Sequence, residues 1–292
     1  MTAIPQTSSD LSASPVSSSA GSPGGQSRRS GGLRPARPLL TYLRLDLYRS
    51  LREPANLFFV IAFPVAMYLV FGRLNASAGD YGPHAHGNVS ASVMLAMASF
   101  SACLGATSAS AAAAVEQSAG WGRQMAVTSQ GLRGYLVVKT GTAVGTAALP
   151  VVVVLAAGAL TDSQMEGWVW AVSPLICLIG VLPFVLWGLA AGMWLPSSAS
   201  IGIATSLVSL FAFIGNAFMP LNHTLLTISR FTPMYGATAL ARWPLGEGWV
   251  YVPDRPVGVQ DPLWMPLTNL VAWTLIFGLL VIGARRRATR RR

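Results

Sequence analysis

The single lysine of this chain, Lys139, is the first residue to test for chemistry, because a phosphate-binding loop needs a lysine at a fixed place. Such a loop reads G-x-x-x-x-G-K-[ST]: glycine amides cradle the phosphates and the lysine reaches the terminal ones. Val138 stands where the second glycine should, so the chain has no phosphate loop with which to take energy from ATP. His84 and His86 form an HxH in Gly82-Pro83-His84-Ala85-His86-Gly87. That spacing could touch a metal, but without further ligands nearby no metal site is expected. Cys103 and Cys177 sit in apolar stretches with no CxxC or Cys/His spacing and read as inert core thiols. Neither a Ser/His/Asp set nor paired carboxylates can be assembled, so no catalytic residues are expected and an enzyme is disfavoured. The polar residues that remain concentrate in one internal stretch, 113–143, AAVEQSAGWGRQMAVTSQGLRGYLVVKTGTA, punctuated by Glu116, Gly120, Arg123, Arg133 and Lys139. A connection between neighbouring spans needs only a handful of residues. About twenty polar ones suggest a short helix outside the lipid, available to a partner.

The elements that carry this stretch must be membrane helices. Hydrophobic residues make up 52% of the 292-residue chain and charged ones 10%, and mean hydropathy is +0.52; a soluble domain carries about 25% charged residues. Six segments, 57–74, 89–115, 135–160, 167–195, 199–219 and 263–284, are apolar and long enough to be read as spans. Pro174 and Pro183 allow a break in the fourth, and Pro196-Ser197-Ser198-Ala199 makes a tight hairpin between the fourth and fifth. No Asp, Glu, Lys or Arg falls in the middle of any span, which argues against a proton- or sodium-coupled carrier, since such relays use buried ionisable groups. Gly141/Gly145 and Gly188/Gly192 are GxxxG pairs that let helices approach closely, either within the chain or at a dimer seam.

Orientation follows from the cations. Seven precede the first span, three (Arg123, Arg133, Lys139) flank the connection between spans two and three, and six follow Ala284: sixteen of 20 on one side. The other side holds Arg73, Arg230, Arg242 and Arg255 together with six of the ten acidic residues. Both termini are therefore expected in the cytoplasm of a multi-pass plasma-membrane protein. A net charge of +10 could suggest nucleic acid, but its placement around the spans points to the bilayer instead.

Residues 1–38 are a different material. Ten serines and few bulky side chains in 1–32 bury too little surface to fold, so 1–38 reads as a disordered cytoplasmic tail without a signal peptide, and 285–292 as a basic cytoplasmic tail. From Leu39 an amphipathic helix begins, with Leu40, Leu43, Leu47 and Leu51 on one face and Asp46, Arg49, Arg52 and Glu53 expected mostly on the other; Arg44 and Leu45 fit this division poorly. Such a helix lies in the membrane surface with Arg44, Arg49 and Arg52 toward anionic headgroups, and Arg28, Arg29, Arg34 and Arg37 at the end of the tail help hold it there at about 1 kcal/mol each. Pro54 ends it and forms an elbow into the first span. An ordinary juxtamembrane anchor is the plainer alternative.

With these pieces in order, the chain resembles the membrane (permease) subunit of type-2 ABC exporters. Glu116, Gly120, Val127, Thr128 and Lys139 fall in register with that family's Glu-x-x-x-Gly, polar helix and lysine, although Ser129 stands where proline is usual and Trp121 is also a departure. Arg52-Glu53-Pro54 with Phe63-Pro64 and Phe71-Gly72 is similar to its elbow, and Phe218-Met219-Pro220, Phe231-Thr232-Pro233-Met234-Tyr235 and Arg242 to its last external loop. The resemblance covers residues 39–284. It implies an all-α membrane protein: six transmembrane helices, an interfacial elbow helix, a cytoplasmic coupling helix between spans two and three, and a long external loop, 220–262, with short helices dipping back into the outer leaflet. It further implies that Glu116, Gly120, Arg123, Thr128 and Arg133 couple to a separate cytoplasmic ATP-binding subunit that holds the ATP and Mg, this chain needing no cofactor. Pro220, Pro233 and Tyr235 would shape an external gate, and a second copy or a homologue would complete the pathway. The cargo would be amphipathic or lipophilic (drug, lipid or glycoconjugate-like), because an uncharged pathway cannot pair a highly charged one. A stand-alone carrier or channel, or a membrane scaffold without transport activity, are the alternatives.

Overall fold

The computed structural model describes residues 36–82, 84–120, 131–195, 197–253 and 258–290. The chain divides into Met1–Ala36 and a compact unit, Arg37–Arg292. The expected 1–38 tail lies outside the described residues except for 36–38, which belong to a helix. So does most of the expected coupling helix, since 121–130 are not described.

Helix α1, Ala36–Arg52, is followed at Pro54 by α2, Pro54–Leu57, a π-helical turn, Phe58–Ala62, and α3, Phe63–Leu74. Proline is well placed at the start of α2, where its missing N–H would be unpaired anyway, and Asn56 caps the end of α1 by donating to Ser50 O at 2.9 Å. The π turn has a cause in sequence. Pro64 has no N–H to give to the carbonyl four residues back, and the turn before it widens, with Phe63 N–H reaching Phe58 O.

The centre of the unit is α4, Val89–Ser118, in which nearly every side chain from Val89 to Ala111 is buried. Its Ala, Ser, Thr and Gly composition lets neighbours come close, and its hydroxyls return to its own carbonyls, as Ser92 does to Val89 O and Ser101 to Ala98 O. Around it stand α5 (Gly131–Ala159), α6 (Gly167–Gly180), α7 (Leu182–Trp194), α8 (Ala199–Ile214), the short α9 (His223–Ser229), α10 (Pro233–Gly246) and α11 (Trp264–Arg290). Between α10 and α11 a two-residue antiparallel pair, β1 (Trp249–Val250) with β2 (Val259–Gln260), departs from an all-α description.

The architecture is turned inside out relative to a water-soluble bundle. Small residues fill the core, while Leu275, Leu279, Val271, Leu175, Ile179 and Val152 lie exposed on the outer helices. So large an apolar surface is met in a protein whose solvent is lipid. Among the described residues, four helices are long and apolar enough to cross a bilayer: Val89–Ser118, Val137–Ala159, Gly167–Trp194 and Trp264–Arg287. This is an α-helical membrane protein. Two segments read as spans from sequence come out shorter, Phe58–Leu74 and Ala199–Ile214. The fifth, expected to run to 219, stops where Gly215 caps α8 and Asn216 takes a left-handed φ of 58°. Its amide oxygen there accepts from Leu221 N, which turns the chain. In the fourth, the break falls at Val181 just before Pro183, whereas Pro174 is accommodated inside α6.

Both GxxxG pairs are consumed within the chain. A Cβ on Gly188 would meet Ser110 Oγ at 2.1 Å and Thr107 O at 2.4 Å, and one on Gly192 would meet Ala111 O at 2.6 Å, so α7 lies directly on α4. Gly141 and Gly145 receive Leu43 and Leu47 of α1. Cys103 and Cys177 are buried free thiols.

Candidate functional site

At the end of the unit where α1 lies, Lys139 joins three helices. Its Nζ stands 2.9 Å from Asp46 Oδ1 on α1 and 2.7 Å from Glu116 Oε2 near the end of α4, while Thr142, one turn further along α5, donates to Asp46 Oδ2 at 2.7 Å. The three charged side chains are largely buried. Asp46 therefore belongs to the packed face of α1, not to the solvent face assigned from the leucine spacing. Leu43 and Leu47 sit on Gly141 and Gly145, Leu40 is left exposed, and the packed stripe is rotated toward Asp46 because that is where the Lys139 ammonium of α5 waits. Arg44, Arg49 and Arg52 remain exposed, with Arg52 lying over the Tyr48 ring at 4.8 Å, and Pro54 is exposed at the elbow. Burial raises the Tyr42 phenol on the same helix above its ordinary value.

Gly120 follows the last turn of α4 with φ 88°, a conformation open to glycine, and its N–H returns to Gln117 O. The spacing Glu116-x-x-x-Gly120 thus places a carboxylate on the last turn and a helix stop immediately after it. Arg123 and Thr128 lie outside the described residues; Arg133 is in the first turn of α5, with only its backbone described.

Beside this cluster a cleft opens. A cavity of about 390 Å³ is bordered by Asp46, Arg49, Glu116 and Lys139. It adjoins another of about 380 Å³ lined by Asn56, Phe59, Ser108, Thr205, Ser206 and Ser209. Glu53, Ser108, Ser198 and Ile201 border both. Apart from Glu53, the walls of this second cavity carry hydroxyls, one amide and apolar groups. One helical turn past its lining residues Phe59, Leu104 and Ser209 stand Phe63, Phe100 and Phe213. With Phe218 they form a packed aromatic group whose ring centroids are 4.4 to 6.3 Å apart. Phe218 reaches it because the turn at Asn216 folds the chain back into the bundle.

The opposite end carries the residues 220–262. Pro220 is half-buried, Pro233 starts α10 at the position where proline fits, and Tyr235 is buried with its hydroxyl donating to Asp261 Oδ2 at 2.5 Å. Burial, and then the Asp261 carboxylate, push the Tyr235 phenol well above its ordinary value. Asp261 also pairs with Arg230. Asn269 Nδ2 donates to Arg230 O and Thr232 O, so α9, α10 and α11 are tied at one point. His86 connects two more loops: Nδ1 is 3.0 Å from Glu166 Oε1, Nε2 is 3.4 Å from Glu247 Oε1, and its ring stands edge-on to Trp168. The HxH pair is thus accounted for by ion pairing at His86, and among the described residues no cluster of three metal-ligating side chains occurs. Sequence reading passed over Asp261, placed Asp46 on the solvent face and weighed His86 only as a metal ligand. For Asp46 a signal existed, because i, i+3, i+4 spacing puts it beside Leu43 and Leu47.

A helical membrane protein with a charged cluster at one end, a hydroxyl-lined cleft and an aromatic closure is the class these features define. No protein-family profile matches the sequence. The chain is similar to a protein of Bacillus subtilis (strain 168) named "Putative transport permease YvfS": 25% of residues are identical over 251, spanning 83% of this chain and 94% of that protein.

Proposed function

We propose that this chain is the permease subunit of an ABC export system, forming a transmembrane pathway for an amphipathic or lipophilic substrate. The observation that carries the reading is the cleft: it opens beside the charged cluster, carries Glu53 as the one charged group of its inner cavity, and points toward the aromatic group of Phe63, Phe100, Phe213 and Phe218 one helical turn further on. Similarity along most of the chain to a protein named a transport permease supports a transport role. The order of the Glu116, Gly120 and Lys139 motif, the elbow and the last loop supports the type-2 ABC class. Six crossings fit this reading. Pro54–Leu57, the π turn and α3 follow one another without a gap and together reach about 31 Å at 1.5 Å per residue. Helix α8 completes the set with the buried turn after it. Both termini would be cytoplasmic in the cell membrane, with α9 and α10 on the outer side.

Energy would come from a separate cytoplasmic subunit binding ATP and Mg, seated against Glu116, Gly120, Arg123, Thr128 and Arg133. Lys139 gives that subunit a lever, since a displacement of the end of α4 is passed through one ammonium to Asp46 on α1. Two arrangements of the bundle, one open at the charged end and one open past the aromatic group, would alternate as nucleotide is bound and hydrolysed. A second copy or a homologue would close the open side of the cleft, and Pro220, Pro233 and Tyr235 would shape the exit. The test is co-purification of the intact chain with an ATPase, and export by Glu116→Ala. Recovery of a nucleotide-binding chain and loss of export are expected; no ATPase and unchanged export would overturn the proposal. Transport by the chain alone in liposomes without ATP would establish a stand-alone carrier instead.

A further inference from the structure

Arg242, on the face of α10 turned toward the start of α4, is a cation without a counter-ion among the described residues. Its Nε donates to Ser92 O at 3.0 Å, and the Tyr81 phenol is hydrogen-bonded to the guanidinium. Among the described residues no carboxylate lies within 4.0 Å of it. Of the acids at this end, Asp162 pairs with Arg73, Glu166 and Glu247 with His86, and Asp261 with Arg230; Asp80 is exposed, and Asp254 lies outside the described residues. A guanidinium does not escape burial by losing its proton. Burial holds the Tyr81 phenol above its ordinary value, so that group stays neutral at pH 7 and cannot supply the missing charge.

The surroundings of Arg242 are rich in donors. A chamber of about 20 Å³ is lined by Tyr81, Asn216, Arg242, Trp249, Tyr235 and Asp261, and a smaller one of about 10 Å³ touches Tyr81, Asn216 and Arg242 from the side of Pro220. Trp249 Nε1 is buried with no acceptor. Asn216 spends its carbonyl on Leu221 N, which leaves its NH₂ to donate. Counting Arg230, Arg242 and Asp261, the cluster is one positive charge in excess. The space suits a body about the size of a water molecule. Sulfate, phosphate and lipid headgroups are too large for it.

We propose that this chamber binds one small monovalent anion of chloride size, held by the Arg242 guanidinium with help from the Asn216 amide and the Trp249 indole N–H. The ion joins α10 to the start of α4 and to the β1–β2 hairpin, and so sets the stability of this end whether or not the chain transports anything.

The full chain is reconstituted in phosphatidylcholine nanodiscs, and its unfolding is followed by tryptophan fluorescence as sodium gluconate is exchanged for sodium chloride, bromide or sulfate at constant ionic strength. Chloride and bromide should raise the midpoint saturably; at ten times the half-saturating concentration the ratio of folded to unfolded chain gains a factor of about eleven, or about 3–5 °C. Sulfate should do no more than gluconate. Arg242→Gln should abolish the halide dependence; should that variant not fold, Trp249→Phe should move half-saturation up about tenfold, the loss of one hydrogen bond to a charged group. Superimposable wild-type curves in chloride and gluconate, equal protection by sulfate, or unchanged halide dependence in the variant that folds would overturn the assignment.

Discussion

Replacing Lys139 by Met is the sharpest test of how this structure is held. In the native arrangement one ammonium lies 2.9 Å from Asp46 Oδ1 and 2.7 Å from Glu116 Oε2, so these two oxygens are no more than about 5.6 Å apart. Without the cation, two carboxylates face each other in a largely buried place. At an effective dielectric of about 20 their repulsion is about 3 kcal/mol, which agrees with the ~3–5 kcal/mol that follows removal of one partner from a buried pair. Glu116 keeps some exposure, so the lower value is the better guide. In a unit of this size each kcal/mol moves the thermal midpoint by about 2–4 °C. Lys139→Met should therefore melt about 6–12 °C below wild type, measured by tryptophan fluorescence in detergent. Removing the orphaned charge as well, in Asp46→Asn/Lys139→Met, should recover more than half of that loss, because Thr142 can still bond an amide oxygen at position 46. A single variant within about 1 °C of wild type, or a double variant no more stable than the single, would refute the view that this ammonium clamps α1 to α4 and α5.

Other consequences follow from packing and titration. Phe218→Ala should cost about 3–5 kcal/mol, since a nearly fully buried ring leaves a hole among Phe63, Phe100 and Phe213, read as a lowered unfolding midpoint. Gly188→Val should misfold or fail to accumulate, because its Cβ would fall onto α4 backbone, while Gly202→Val, with nothing within 4 Å, should behave as wild type in size-exclusion chromatography. The His86 clasp should depend on pH. Hydrogen bonds donated to Glu166 and Glu247 raise the His86 pKa, so its contribution is full below about 6.5 and is lost as pH rises through the higher folded value. Glu166 is held below its ordinary 4.5, so its share persists above that pH and disappears on further acidification. Wild type should thus lose thermal stability as pH rises above about 6.5, and His86→Gln should show a flat profile over the same range.

Much of this protein was settled by residue type alone. A chain this poor in charge, with apolar runs of span length and its cations bunched at their ends, has to put its large apolar side chains against lipid, and it does so on α6 and α11. Pro54 at the elbow, the small residues of α4 and the two GxxxG pairs were visible because backbone restriction and side-chain volume are local properties. Partnership is not local. Asp46 was read onto the wrong face because amphipathic spacing fixes only an average direction, and the true packed stripe was chosen by a lysine 93 residues away. Likewise α8 read as a full span until the left-handed turn at Asn216 brought Phe218 back into the bundle, a reversal that no hydropathy window registers. That Arg242 has no carboxylate partner among the described residues belongs to the same kind of fact. Sequence supplied equal reason to pair it with any of six carboxylates on its side, and only the fold decided which cations received them.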